Sequence, residues 1–240
     1  MRPRVAIPVP HSGDPEYAAR ALPQYVRAVE LAGGEPVRIP LDRTASEVKK
    51  LVEQCDAVLL PGSRADVDPE KYRAPRDPKT ADADLPRDIV DEILLEDAYS
   101  RHKPVLGICY GLQILNVYRA GSLVQHIESP VNHEAGRKIA VAHNVTVDSG
   151  SVLARIVKEA GADSARLPVN SSHHQSADVV GKGLRIVARC PEDGIVEALE
   201  SIDPDHFVLA VQWHPERSVD ADAPSHAIFE ALIKAAGARL

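Results

Sequence analysis

The feature that most restricts this chain's fold is the pentapeptide Gly107-Ile108-Cys109-Tyr110-Gly111. It begins inside the apolar run Val105 to Ile108, which reads as a buried strand opened by Pro104, and it leads into Gly111 to Tyr118, which reads as a helix. A strand that turns into a helix within one residue holds the residue at the tip in a strained backbone conformation. Neighbours two positions away must lack bulk where strand and helix approach, and glycine meets that need. The helix start also directs free N–H groups at the cysteine, lowering the energy of a thiolate and offering a donor, the Tyr110 amide, to an oxyanion. This is the arrangement of a nucleophile elbow. Without the glycine bracket a lone cysteine reads as a buried structural residue, and Cys55 and Cys190 are read that way.

The rest of the chain supplies a matching frame. Short apolar, β-branched runs at Val5–Val9, Pro36–Ile39, Ala57–Leu60, Leu184–Arg189, Ile195–Leu199 and Phe207–Gln212 read as strands, and Lys138–Val147 alternates as a half-exposed strand would. Amphipathic stretches at Leu22–Leu31, Thr44–Glu53, Leu85–Arg101, Ser151–Ala160 and Pro224–Ala236 read as helices. Strands alternating with helices predict a three-layer α/β/α fold with a mostly parallel central sheet. No repeat and no biased linker divides residues 1–240, so one domain is expected. The Pro-rich, charged segment from Arg64 to Asp84 is too long for a plain connection and reads as a functional or mobile loop.

Composition narrows the function. With 240 residues the chain should expose roughly 10,500 Å² when folded, burying about 70% of its extended surface without disulfides. A net charge of −7 and 4% aromatic residues argue against nucleic acid, which needs a basic face and stacking platforms. The first ten residues are broken by Pro3, Pro8 and Pro10, unlike a signal peptide, and no run suits a membrane span. Three widely spaced cysteines without a C-x-x-C fit a reducing compartment, so a cytoplasmic location is expected.

A thiol nucleophile needs a base, and of ten histidines placement selects His214, which follows the apolar run Phe207 to Gln212 where ligand chemistry in open parallel sheets sits. Glu216, two residues on, is placed to orient the imidazole and stabilise its protonated form. Taken alone, His214-Pro215-Glu216 is a surface turn; with the elbow it becomes the partner of Cys109. No G-x-G-x-x-G or G-x-x-x-x-G-K-[ST] phosphate loop is present.

Pro61-Gly62-Ser63, Gly107-Ile-Cys109-Tyr-Gly111-Leu-Gln113 and Val211-Gln-Trp-His214-Pro-Glu216 together resemble the class I glutamine amidotransferase superfamily. Val58 to Ser63 with Asp66-Val-Asp-Pro69 and Tyr72, then Val169-Asn-Ser-Ser-His-His-Gln175 and Asp193-Gly-Ile-Val-Glu197, are similar to its γ-glutamyl-γ-aminobutyrate hydrolase branch, and the resemblance runs from about Val5 to the end. It implies a flavodoxin-like fold in which Cys109 is nucleophile, His214 base and Glu216 orienting acid. Backbone amides of Gly62 or Ser63 and of Tyr110 would form the oxyanion hole, and Gln113, His173, His174 and Gln175 would line a γ-glutamyl pocket. The implied activity is hydrolysis of a small-molecule γ-glutamyl amide through a thioester, with no cofactor and no metal; a homodimer is compatible with it. His173-His174 also reads as a satisfied polar loop, and no third ligand lies at a spacing suited to a metal pair. Two departures stand out: Tyr110 where this branch often has Arg, expected to change the pocket mouth, and Arg119-Ala120-Gly121 at a helix end that is usually small and glycine-rich. Three further readings are a glutaminase subunit feeding ammonia to a separate synthase, a non-catalytic binding protein and a cysteine α/β-hydrolase. The long loop, the intact Cys109, His214 and Glu216, and the acid following the histidine by two count against them in turn.

Overall fold

The first strand, β1 (Arg4–Pro8), buries every residue from Val5 on, with Val5 and Ile7 in one apolar layer and Ala6 in another. That period-two division is what a sheet covered on both faces requires. The computed structural model describes residues 1–238. After β1 come α1 (Pro15–Leu31), β2 (Glu35–Ile39), α2 (Ala45–Glu53), β3 (Ala57–Leu60), α3 (Leu85–Arg101), β4 (Val105–Ile108) and α4 (Tyr110–Tyr118). The second half adds β5 (Leu123–Val124), β6 (His143–Val147), α5 (Val152–Glu159), β7 (Leu167–Val169), β8 (Ser176–Ala177), β9 (Leu184–Arg189), β10 (Val196–Ser201), β11 (Val208–Val211) and α6 (Ala223–Gly237).

Nine strands form one sheet in the order β2-β1-β3-β4-β11-β10-β9-β6-β7, while β5 and β8 pair separately. Helices α1, α5 and α6 cover one face through Tyr25, Leu153 and Phe229, and α2, α3 and α4 cover the other through Val52, Leu94 and Leu115. The three-layer α/β/α expectation holds. Parallel pairing runs from β2 to β11 and then stops, because β9, β10 and β11 are joined by connections too short for a crossover, which permit only antiparallel neighbours. The exposed surface is 10815 Å², close to the value expected from length.

Two boundaries differ from the sequence reading by more than two residues. Helix α1 starts at Pro15 rather than Leu22: Asp14 caps it by accepting from the Tyr17 N–H at 2.8 Å, and Pro23 is accommodated inside it. Strand β6 starts at His143, not Lys138, because the alternating Ile139 and Val141 are solvent-exposed rather than packed. The segment from Arg64 to Asp84 is tied down. The Ala81 N–H donates to Asp66 Oδ2 at 2.7 Å, and the Asp77 N–H and Thr80 hydroxyl both donate to Gln125 Oε1 at 2.8 Å.

A fully buried arginine fixes the loops behind the site. Arg87 pairs with Asp91, one turn along α3, and donates to the carbonyls of Pro10 and Pro61, each at 2.8 Å, so the chain leaving β1 and the chain leaving β3 share one anchor. Burial pushes Asp91 up to about 6 against the pull of Arg87.

Candidate active site

The site assembles at the carboxyl ends of three adjacent parallel strands, the place open α/β sheets use for ligands. Leu60 of β3 pairs with Gly107 of β4, and Ile108 of β4 with Val211 of β11, so Gly62, Cys109 and His214 emerge side by side. Cys109 has φ 54°, a left-handed conformation that L-residues rarely adopt, and its N–H is held by Val211 O at 2.8 Å. A Cβ on Gly107 would stand 2.7 Å from Gly111 O, and one on Gly111 would stand 2.1 Å from Leu60 O. The glycine bracket read from the sequence is therefore a steric requirement of this turn.

His214 is gripped from two sides. Its backbone N–H donates to Asn170 Oδ1 at 3.0 Å, its carbonyl accepts from Asn170 Nδ2 at 2.9 Å, and its Nδ1 lies 2.8 Å from Glu216 Oε1. A carboxylate only accepts, so Nδ1 carries the ring proton and Nε2 presents a lone pair. Burial holds His214 below the usual histidine range despite the pull of Glu216. Burial would raise Glu216, but the adjacent His214 outweighs it and keeps the carboxyl below its ordinary value. Cys109 is pushed up to about 12 by burial, opposed by Arg217 and by the Tyr110 N–H. The resting pair is thus a neutral thiol beside a neutral imidazole; the helix start softens the burial cost without overturning it.

Gly62 faces both side chains: a Cβ built there would meet His214 Cε1 at 3.0 Å, Tyr25 Oη at 3.1 Å and Cys109 Cβ at 3.5 Å. Its N–H, however, donates to Tyr25 Oη at 3.0 Å. Of the two amides expected at this loop, Gly62 or Ser63, the Gly62 amide is thus engaged by a buried hydroxyl in this structure. Ser63 and Tyr110 remain as the candidate donors, Tyr110 being the first residue of α4, where the helix gives its N–H no partner.

The remaining predicted residues separate into distinct tasks. Gln113 is buried and donates through Nε2 to Gln175 O at 3.2 Å, and Gln175 donates to Gln125 O at 3.0 Å, so both amides brace the wall. His173 Nδ1 bonds the same Gln175 carbonyl at 2.9 Å, while His174 Nε2 meets Asp66 at 3.0 Å. The two neighbouring histidines thus face different partners and form no pair. His174 instead fastens the pocket wall to the long loop. Tyr110 also departs from expectation: its side chain is buried, its hydroxyl donates to Asp88, and Arg87 lies over its ring, so it does not reach the pocket mouth. Arg119 stacks over Tyr99 and donates to Lys182 O, away from the site.

Sequence reasoning gave no role to Asn170 or Tyr25. Asn170 sits inside the quoted Val169-to-Gln175 motif, which was the available signal; Tyr25 lies in mid-helix with none. A second cluster was not recognised as one, although Asp193 and Glu197 stand in a quoted motif: His133, Cys190 and Asp193 place ligand-type atoms within 4.8 Å of one another, as do His133, His143 and Glu197.

The peptidase C26 family profile matches residues 9–216. The chain is 35% identical over 223 residues to the γ-glutamyl-γ-aminobutyrate hydrolase PuuD of Escherichia coli K12, covering 88% of this chain and 84% of that protein. It is 38% identical over 216 residues to a putative glutamine amidotransferase of Mycobacterium tuberculosis, covering 88% of this chain and 66% of that protein. Among solved structures, the glutaminase domain of Trypanosoma brucei CTPS with bound acivicin matches with a TM-score of 0.63 at 18% identity, covering 96% of this chain and 93% of that one, a likeness of fold. The chain belongs to the peptidase C26 family, within the class I glutamine amidotransferase-like superfamily.

Proposed function

We propose that this chain is a cysteine-dependent hydrolase of γ-glutamyl amides, acting as one domain with Cys109 as nucleophile, His214 as base and Glu216 as its orienting acid. The observation that carries the reading is the strained Cys109 at the β4–α4 turn, beside a histidine whose Nδ1 is engaged by Glu216 at 2.8 Å. The names of the relatives supply the substrate class. The three cysteines are free thiols and no described helix is long and apolar enough to cross a membrane, which suits a cytoplasmic enzyme.

In the first half-reaction His214 Nε2 takes the thiol proton as Sγ attacks the γ-carbonyl carbon. The carbonyl oxygen gains negative charge against the Ser63 and Tyr110 amides, each worth on the order of 3–4 kcal/mol to the transition state. Collapse breaks the C–N bond, and the imidazolium, stabilised by Glu216, gives its proton to the departing amine. Water then attacks the thioester with His214 again as base, releasing glutamate and restoring the thiol.

The hydrolase and glutaminase readings differ in the leaving group. A glutaminase closed around ammonia needs little beyond the γ-glutamyl pocket, whereas here the Arg64–Asp84 loop is fastened to the wall through Asp66 and His174 and supplies a surface for a larger amine. The purified chain, assayed alone, is expected to show a higher kcat/KM on γ-glutamyl-γ-aminobutyrate or a γ-glutamyl polyamine than on glutamine, with Cys109→Ala as blank. Glutamine as best substrate, or inertness until a second protein is added, would replace this reading with an amidotransferase subunit.

A further inference from the structure

Behind the pocket wall, three histidines surround one fully buried carboxylate. Glu197 Oε1, on β10, lies 2.9 Å from His143 Nε2, 3.2 Å from His133 Nδ1 and 3.6 Å from His173 Nε2. His133, His143 and Glu197 are all buried, and their ligand-type atoms lie within 4.8 Å of one another. The hydrogen bonding of this group does not close. His133 Nε2 faces Asp193 Oδ2 at 2.8 Å, and because a carboxylate only accepts, that nitrogen carries the proton of the neutral ring. In that neutral ring His133 Nδ1 turns a lone pair toward Glu197; only a charged ring would donate to both carboxylates. Neither His133 Nδ1 nor Glu197 Oε2 has a hydrogen-bond partner. A lone pair facing a carboxylate in a buried site is costly unless something positive lies between them.

We propose that His133 Nδ1, His143 Nε2 and Glu197 bind a divalent first-row transition cation of the Zn²⁺ class, as a structural site separate from Cys109. Two imidazoles and one carboxylate form a nitrogen–oxygen donor set suited to such an ion. Ligands held about 2.0–2.2 Å from one cation stand roughly 3.0–3.5 Å apart, close to the 2.9 and 3.2 Å seen here. Asp193 supplies the outer carboxylate that commonly fixes the tautomer of a ligating histidine, and its Oδ1 is in turn held by the Ile195 N–H at 3.1 Å. A divalent charge also neutralises Glu197 and Asp193 with every histidine neutral.

The position gives the ion a task. His133 comes from the segment between β5 and β6, His143 opens β6 and Glu197 lies on β10, so the ion joins three separate stretches of chain. The carbonyl of His133 accepts from the His173 N–H at 2.9 Å and from the Ser171 hydroxyl at 2.6 Å. That same segment carries Asn170, which grips His214. The cation would therefore staple the back of the pocket wall and leave the reacting atoms untouched.

The test is metal analysis of tag-free protein, purified without chelator, by plasma mass spectrometry. Equimolar metal is expected in the native chain, in Cys109→Ala and in Cys190→Ala, and its loss in His143→Ala and Glu197→Gln. Retention in Cys190→Ala separates this site from the neighbouring His133, Cys190 and Asp193 grouping; loss there overturns the ligand set. Should the ligand variants fail to fold, the native chain still decides. Chelator treatment should lower Tm, equimolar Zn²⁺ should restore it, and X-ray absorption should show two imidazoles and an oxygen at about 2.0–2.2 Å. Absence of metal together with no saturable response of Tm to Zn²⁺ overturns the proposal and makes the cluster an imidazolium–carboxylate network; so does metal retained in both His143→Ala and Glu197→Gln.

Discussion

Two cysteines in this fold stand at the end of a strand, buried, with a histidine and carboxylates close by, yet their surroundings prepare them for different roles. Cys109 leaves β4 with φ 54° and opens a helix, so the amide of Tyr110, to which the helix gives no partner, is at hand. Cys190 leaves β9 into a hairpin turn, where its N–H bonds Ile195 O and its carbonyl accepts from the Gly194 N–H, both at 2.9 Å, and no helix begins. Its thiol donates to Glu192 at 3.2 Å, toward a carboxylate that disfavours thiolate. The histidines differ as well. One nitrogen of His214 is occupied by Glu216 and the other is left for a proton, whereas both nitrogens of His133 face carboxylates, Asp193 on one side and Glu197 on the other. Proximity of cysteine, histidine and acid therefore does not make a triad. On the reading proposed above, the turn that strains the thiol and the single free nitrogen set Cys109 and His214 apart.

The sharpest break of that comparison is to exchange the cysteines' fates. Cys109→Ala is expected to lower turnover by roughly a thousandfold or more while leaving the fold intact, and Cys190→Ala and Cys55→Ala should retain most activity. Stoichiometric iodoacetamide labelling should inactivate by modifying Cys109; inactivation that tracks Cys190 labelling would reverse the assignment.

Next in size is the carboxylate. Glu216→Gln should lower kcat by about a hundredfold to ten-thousandfold, since the amide can neither enforce the Nδ1–H tautomer nor balance the imidazolium. A thiol leans on its base less than a hydroxyl does, which favours the lower end. Steady-state kinetics unchanged by this substitution would remove Glu216 from the mechanism.

A smaller effect probes the geometry between the two groups. Gly62→Ala places a methyl 3.0 Å from His214 Cε1 and 3.5 Å from Cys109 Cβ, so His214 or the loop must move by a few tenths of an ångström. A loss of roughly tenfold to a hundredfold in kcat/KM is expected, with little change in Tm, because displacement at the reacting atoms costs rate before it costs stability. Native kinetics in this variant would show that the space facing Cys109 and His214 is not used by substrate.

The sequence already carried the parts of this design that depend on local chemistry. The elbow was legible because Gly107 and Gly111 are dictated by contacts with near neighbours, and His214-Pro215-Glu216 because three consecutive residues place acid and base together. What escaped was set by tertiary contact. Tyr25 captures the Gly62 N–H from mid-helix, thirty-seven positions away, and no local pattern marks it. The departure at Tyr110 was misjudged because helix direction, not proximity in sequence, sends that ring toward Asp88. The His133, His143 and Glu197 cluster draws on three distant segments, so spacing rules that look for ligands within a few residues pass over it. The antiparallel half of the sheet escaped for a similar reason, since the strand pattern alone does not reveal where a crossover gives way to a hairpin.

The smallest expected effect separates two histidines, one tied to the long loop and one beside Cys109. His174 is held above its ordinary pKa chiefly by its hydrogen bond to Asp66, whereas burial holds His214 below the ordinary value. Near pH 6.5, therefore, His174 should be mostly charged and His214 mostly neutral, which keeps the base ready while the tether to the long loop is closed. Because the folded pKa of His174 is raised, its contribution to stability is fully present below the unfolded value near 6.5 and fades as pH climbs through the folded value. The side chain is partly exposed, so that contribution is small, on the order of 1 kcal/mol or less. Asp66→Asn keeps an acceptor for the Ala81 N–H but removes the charge, and should return His174 toward the ordinary range without moving His214. Imidazole resonances followed by NMR from pH 5 to 8 in native and Asp66→Asn protein will show the two titrations directly; kcat/KM should rise with the His214 titration and ignore that of His174. An activity profile that instead follows His174, or a His174 midpoint unmoved by the substitution, would mean that the loop tether and the base are not independent, and that the division of labour drawn between the two walls is wrong.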